Sequence, residues 1–172
     1  MKEYIKYEIF KGEKYNFFKL LKVLFFNLNL RFVFYLRLSQ WLRTKRIPFL
    51  YLYFHHKLIT KYGCYIGTKV EIGLGVKFPH PNGIIIGETT KIGQNCIIYQ
   101  QVTFGGRNIG DAQLNNYPTI GNNVIIFAGA KLIGDIIIGD NVIIGANSVV
   151  NKSFPSNCVI GGVPAKLLKE IK

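Results

Sequence analysis

Counting in sixes from Ile120 meets an aliphatic residue at every step: Ile126, Leu132, Ile138, Ile144 and Val150. A second ladder runs Ile86, Ile92, Ile98 and Phe104, and a shorter one opens at Ile66 and Ile72. Residues four places after these rungs are also small or apolar: Val70, Val76, Thr90, Cys96, Val102, Val124, Ala130, Ile136, Val142 and Ser148. A period of six matches neither a helix nor an ordinary two-faced strand. It matches a parallel β-helix, in which six residues make one short strand plus a corner. Three such strands close a triangular coil, and coils stack at about 4.8 Å, the ordinary inter-strand spacing. β-branched Ile and Val suit the inward positions because little rotamer freedom is lost there. Gly121-Asn122-Asn123 and Gly139-Asp140-Asn141 are expected at corners, with positive φ.

The ladder divides the chain. Residues 63–172 are expected to form the β-helix domain with its C-terminal tail, and residues 1–62 something else. That first part reads as α-helical over Tyr15 to Leu30, Leu30 to Thr44 and, beyond Pro48, Phe49 to Tyr62. Its apolar side chains cover more than one face, for example Phe17, Leu20, Leu21, Leu24, Phe25 and Leu28. Lys19, Lys22, Arg31 and Arg37 interrupt them, so no transmembrane span is expected. Nor does the basic start lead into an apolar stretch and a small-residue cleavage site, so no signal peptide is expected. Two readings of the helices stand side by side. They pack on each other and on the end of the β-helix, or they form a basic, aromatic surface on the inner face of the cell membrane, the chain being otherwise cytoplasmic.

Charge narrows the partners. The chain carries 22 Lys and Arg against nine Asp and Glu, a net +13, and Met1 to Thr60 holds much of the excess. This favours an anionic partner: a phosphorylated cofactor, an acidic glycan or an anionic membrane surface. No motif supports nucleic acid. Cys64, Cys96 and Cys158 show no pairing pattern, and Cys96 falls on an inward position where a buried free thiol is expected. The three histidines lack ligand spacing, so no metal is expected.

The ladder breaks twice. Between Phe78 and Ile86 the step is eight residues, through Phe78-Pro79-His80-Pro81-Asn82-Gly83. Between Phe104 and Ile120 a polar excursion runs from Gly105 to Thr119. A solenoid extrudes loops without disturbing its core, and function gathers on them.

At these breaks the chain resembles the hexapeptide-repeat acyltransferases, in their serine O-acetyltransferase-like branch. The resemblance rests on His80-Pro81-Asn82-Gly83-Ile84-Ile85-Ile86-Gly87-Glu88-Thr89, Tyr99-Gln100-Gln101-Val102-Thr103-Phe104-Gly105-Gly106, Ala128-Gly129-Ala130-Lys131, Gly145-Ala146-Asn147-Ser148-Val149-Val150 and Gly161-Gly162-Val163-Pro164-Ala165-Lys166. It implies a mainly β fold, a left-handed parallel β-helix behind a short helical region. It further implies an acetyl-CoA-dependent O-acetyltransferase acting as a homotrimer, with active sites between neighbouring prisms.

The family's catalytic histidine falls on His80, as general base. An imidazole, ordinarily titrating near 6.5, takes the proton from an alcohol as it attacks a thioester. By the same resemblance Gly106, Ala128, Gly129 and Lys131 line the pantetheine path, with Gly162, Ala165 and Lys166 near the nucleotide end. His55 and His56 are expected to be structural. Two departures concern the acceptor. Serine acetyltransferases carry an Asp before that histidine, where this chain has Pro79, and an Arg-His pair before the loop-closing Pro, where it has Asn116 and Tyr117. Loss of those charges points to a saccharide hydroxyl of a surface polysaccharide as acceptor, bound by Asn82, Asn116 and Tyr117. Serine O-acetylation in cysteine biosynthesis and a non-catalytic trimeric scaffold are the alternatives.

Overall fold

The computed structural model describes residues 1–14 and 16–171. Tyr15, where the first expected helix opens, lies outside the described residues. The prism is built of three parallel sheets. The first holds β1 (Tyr65–Ile66), β3 (Ile85–Ile86), β6 (Thr103–Gly105), β9 (Lys131–Ile133) and β12 (Val149–Val150). The second holds β2 (Glu71–Ile72), β4 (Lys91–Ile92), β7 (Thr119–Ile120) and β10 (Ile137–Ile138). The third holds β5 (Ile97–Ile98), β8 (Ile125–Ile126), β11 (Ile143–Ile144), β13 (Cys158–Gly162) and, paired antiparallel to β13, β14 (Ala165–Glu170). The result is the left-handed parallel β-helix that the six-residue period requires.

Register puts like on like: Ile86 beside Phe104, Ile92 beside Ile120, Ile98 beside Ile126. Every rung is buried, and so is each of the ten small or apolar residues named four places after one. Thr90 and Ser148 occupy inward corner positions with the apolar residues, at 0% and 1% exposure. Burial pushes the Cys96 thiol up to about 11, so it stays protonated at neutral pH and behaves as a small hydrophobe.

The corners divide labour differently from expectation. Positive φ falls to Asn123 (57°) and Asn141 (56°), which tolerate it through their short polar side chains. Gly121 and Gly139 serve close approach instead: a Cβ on Gly121 would lie 2.7 Å from the Gly139 carbonyl carbon. The Asn side chains bond along the axis, Asn123 Nδ2 to Asn141 Oδ1 at 3.1 Å and Asn141 Nδ2 to Asn157 Oδ1 at 2.8 Å.

Ahead of the prism stand a short turn, α1 (Lys2–Tyr4), running into a π-helical stretch at Ile5–Ile9, then α2 (Phe17–Phe26), α3 (Leu28–Thr44) and α4 (Pro48–Tyr62). The break expected at Leu30 falls at Asn27. Its extended backbone ends α2, while its Oδ1 caps α3 by accepting from Leu30 N at 2.9 Å. Pro48 opens α4 at a position that needs no N–H, and Gly63 closes it in the left-handed conformation. Phe32 of α3 packs edge-on to both Tyr62 and Phe78, covering the first coil.

A buried ion pair fastens this layer. Arg37 and Glu8 are each 4% exposed and meet twice, at 2.7 and 3.1 Å. Arg37 also donates to the carbonyls of Ile72 and Gly73, and Glu8 accepts from Gly75 N. Removing one partner of such a pair costs about 3–5 kcal/mol, because the other charge is left buried and unpaired.

Candidate active site

The sequence-predicted residues fall on two of the three prism edges. The first, here the histidine edge, lies where each coil passes from the third sheet to the first. Backbone bonds stack its corners: Gln101 N donates to Asn82 O (2.9 Å), Gly129 N to Gln100 O (3.0 Å) and Asn147 N to Ala128 O (2.9 Å). Asn82, Gln100, Ala128 and Ala146 therefore form one line. The pairing of Ile144 with Ile160 carries it on to Gly162. Four coil steps separate Asn82 from Gly162, about 19 Å at the ordinary strand spacing.

His80 stands in the two-residue excess of the first break. Asn82 N donates to His80 O at 2.8 Å across Pro81, a tight three-residue turn that throws the imidazole outward, where it is exposed. Its ring lies 6.2 Å from that of Tyr99, which stacks on Phe127 at 5.3 Å and 22°. Among the described residues no carboxylate hydrogen-bonds the ring. The sequence reading missed Tyr99 and Phe127. Each sits one place after an inward rung, Ile98 and Ile126, and a shared offset from two stacked rungs was the available signal.

Below the aromatic pair the edge carries small residues. Gly129 is at φ +75°, and a Cβ there would lie 2.1 Å from Asn147 Oδ1. Ala128 is half-buried, and Lys131 points out from β9 with Nζ donating to Gln101 O at 2.6 Å. Exposed Gly162 donates its N–H to Ser148 Oγ at 3.2 Å. Across the terminal hairpin Ala165 pairs with Gly162 and is buried, while Lys166 faces Gly161 and is exposed.

The second, or loop, edge lies where coils pass from the first sheet to the second, and it carries the long excursion. Here a short helix, α5 (Asp111–Leu114), follows Gly110. Buried Asp111 accepts from Arg107 N and Asn108 N, each at 2.6 Å, and from Asn116 Nδ2 at 3.2 Å. The Asn108 N–H is the chief cause that holds the Asp111 carboxyl below the usual carboxylate range. A Cβ on Gly106 would meet Asp111 Cβ at 2.7 Å, so the loop itself requires that glycine. Arg107 reaches down the edge to Asn151 O at 2.5 Å. The Tyr117 ring lies on Gly87, whose added Cβ would be 1.9 Å from Tyr117 Cε1.

One chain thus gathers His80, Asn82, Ala128, Gly129, Lys131, Gly162, Ala165 and Lys166 along one edge. It does not bring Gly106, Asn116 and Tyr117 to them. His55, half-buried in α4 and edge-on to Tyr65, has its imidazole pushed down by burial and stands apart from both edges. The histidine edge offers a solvent-facing base at one end, a narrow lane of small side chains, and a cation at the other end.

The repeat pattern of the bacterial transferase hexapeptide (six repeats) family matches residues 117–152. A serine acetyltransferase of Synechococcus elongatus is 40% identical over 134 residues, 77% of this chain and 53% of its own length. The chain therefore spans about half the length of that curated relative. A serine acetyltransferase solved in complex with CoA superposes with a TM-score of 0.70 at 34% identity, over 80% of this chain and 55% of the other. Soybean serine acetyltransferase complexed with serine gives 0.69 at 34% identity, over 77% and 54%.

These likenesses overturn the expected saccharide acceptor and its place in polysaccharide biosynthesis, since the relatives are serine acetyltransferases and one was solved with serine bound. Within one chain Asn116 bonds Asp111 and Tyr117 lies on Gly87, on the edge away from His80.

Proposed function

We propose, from the premise that the chain belongs to the hexapeptide-repeat acyltransferase family, that it is an acetyl-CoA-dependent O-acetyltransferase whose acceptor is the hydroxyl of serine. One observation carries this reading. An exposed imidazole heads a lane of small residues ending at Lys166, in a chain 40% identical to a serine acetyltransferase.

In this reading His80 takes the hydroxyl proton as the serine oxygen attacks the thioester carbonyl. The new C–O bond replaces the C–S bond, and the departing thiolate recovers the proton from the imidazolium. General-base help of this kind is worth about 10² to 10⁴ in rate. Ala128, Gly129 and Gly162 leave room for the extended pantetheine arm, and Lys166 offers its point charge to a phosphate. Pro79, Asn116 and Tyr117 bring no charge to the acceptor's ammonium and carboxylate, so a KM for serine of about 1 mM or more is expected.

The assembly in this reading is a homotrimer in which the loop edge of one protomer faces the histidine edge of the next. The separation of Tyr117 from His80 within one chain supports it. The test is thiol release from acetyl-CoA with and without L-serine. Serine-dependent release that vanishes in His80→Ala is expected, and release indifferent to serine overturns the assignment. If Tyr117→Ala alone lowers turnover, mixing those chains with His80→Ala chains should restore part of it when sites are shared between protomers; strictly additive activities would reject sharing.

A further inference from the structure

The helix α2 is built inside out for a free surface. Its aliphatic residues Leu20, Leu21, Val23 and Leu24 are half-buried toward the body, and none of its ten residues is fully buried. Its aromatic residues point away: Phe17 is 55% exposed, Phe18 80%, Phe25 72% and Phe26 84%. At 3.6 residues per turn Phe18, Phe25 and Lys22 fall within about 60° of one another, with Phe17 and Phe26 at the two margins of that face. One bond inside its first turn starts the helix, and one to α3 fixes its orientation. Asn16 caps the first turn by accepting from Lys19 N, and Arg31 of α3 donates to Leu24 O at 3.1 Å.

Charge says what covers such a face. Residues 1–62 contain thirteen Lys and Arg against three Glu. Glu8 is consumed by Arg37 and Glu13 by Lys19. Exposed Lys11, Lys14 and Lys22 lie on α2 or in the segment just before it. A second copy of this layer would bring like charges within a Debye length, about 8 Å at physiological salt. An anionic bilayer surface attracts the same charges and accepts the phenyl rings at its headgroup boundary. No helix among the described residues is long and apolar enough to cross a membrane, so the contact is one of lying on the surface.

We propose that α2 docks the protein on bilayers carrying anionic phospholipid, with Phe18 and Phe25 inserted among the headgroups, Phe17 and Phe26 flanking them at the surface, and Lys14 and Lys22 reaching the phosphates. Insertion and charge act together, since either signal alone gives weak, reversible binding. The contact is independent of the acetyl-transfer reading.

Co-sedimentation of the full chain with phosphatidylcholine vesicles, with and without a third of phosphatidylglycerol, tests it. The protein should pellet with the anionic vesicles only and release partly at high salt. Phe18→Ser with Phe25→Ser should lower the partition coefficient at least about tenfold. Lys14→Glu with Lys22→Glu should lower it at low salt and leave the salt-resistant part. All four side chains are exposed, so these variants should keep wild-type circular dichroism, which is checked in parallel. Absence of pelleting with anionic vesicles overturns the proposal, as does pelleting untouched by the phenylalanine changes. A fall in oligomer mass in the Phe18→Ser, Phe25→Ser variant without vesicle binding by the parent also overturns it, and assigns the face to a second copy.

Discussion

The two edges that flank the first sheet are made from the same repeat and put to opposite uses. Along the loop edge several groups are engaged within the protein: Asp111 holds three donors, Arg107 reaches Asn151, and the Tyr117 ring covers Gly87. Along the histidine edge the imidazole of His80 and the ammonium of Lys166 face solvent, with the Tyr99–Phe127 pair and then small residues such as Ala128, Gly129 and Gly162 between them. One edge spends its side chains on holding its own loop; the other leaves an imidazole and an ammonium to solvent. The contrast teaches that a solenoid can hold its core constant and assign function edge by edge, through what its corners carry.

The contrast can be broken most directly at His80. His80→Ala should lower kcat at least about a hundredfold and leave the dissociation constant of CoA nearly unchanged. Wild-type turnover in that variant would return His80 to the status of a corner residue. The next largest effect belongs to the loop edge. Asp111→Ala should loosen residues 106–116, with tryptic cleavage at Arg107 roughly tenfold faster, because local opening follows the loss of its bonds.

The same carboxylate gives the loop edge an acid limit. Its folded pKa is lowered, so the unfolded form binds the proton more readily. The stabilisation is fully present above the ordinary Asp value of about 3.9 and is lost as pH falls through the lower folded value. Asp111→Asn should remove that dependence in a proteolysis-versus-pH series, and an unchanged profile would show that another group controls the loop. The smallest effect is expected at Lys166. Lys166→Ala should weaken CoA about two- to fivefold, the scale of one exposed charge contact, as read by calorimetry. An unaltered affinity would shorten the functional lane to Gly162.

What the sequence disclosed follows from what repeats. Inward rungs such as Ile126 and Ile144 recur because each must match the one above, so spacing alone reveals them. Helix boundaries were less legible: Asn27 ends one helix and caps the next through its side chain, a local event hidden in a run of apolar residues. The pairing of Glu8 with Arg37 was invisible, because 29 residues of helix and turn must fold before they meet. The position of the loop residues was hidden for a similar reason. Asn116 and Tyr117 precede Pro118 in sequence, yet nothing in that order tells which edge the loop falls back upon. The saccharide reading rested on that loop's lost charges, and it was overturned by the likeness to serine acetyltransferases.

The stacking has a consequence for size selection. Ile126 and Ile144 occupy the same column eighteen residues apart, so excising one such unit would rejoin the chain in phase. Every remaining contact would keep its kind, but the span from His80 to the terminal hairpin would contract by about 4.8 Å. The prism is therefore a caliper graduated in whole turns of chain. A slender molecule that must touch both jaws is measured by how many turns separate them, and evolution or design can reset that measurement only in discrete steps.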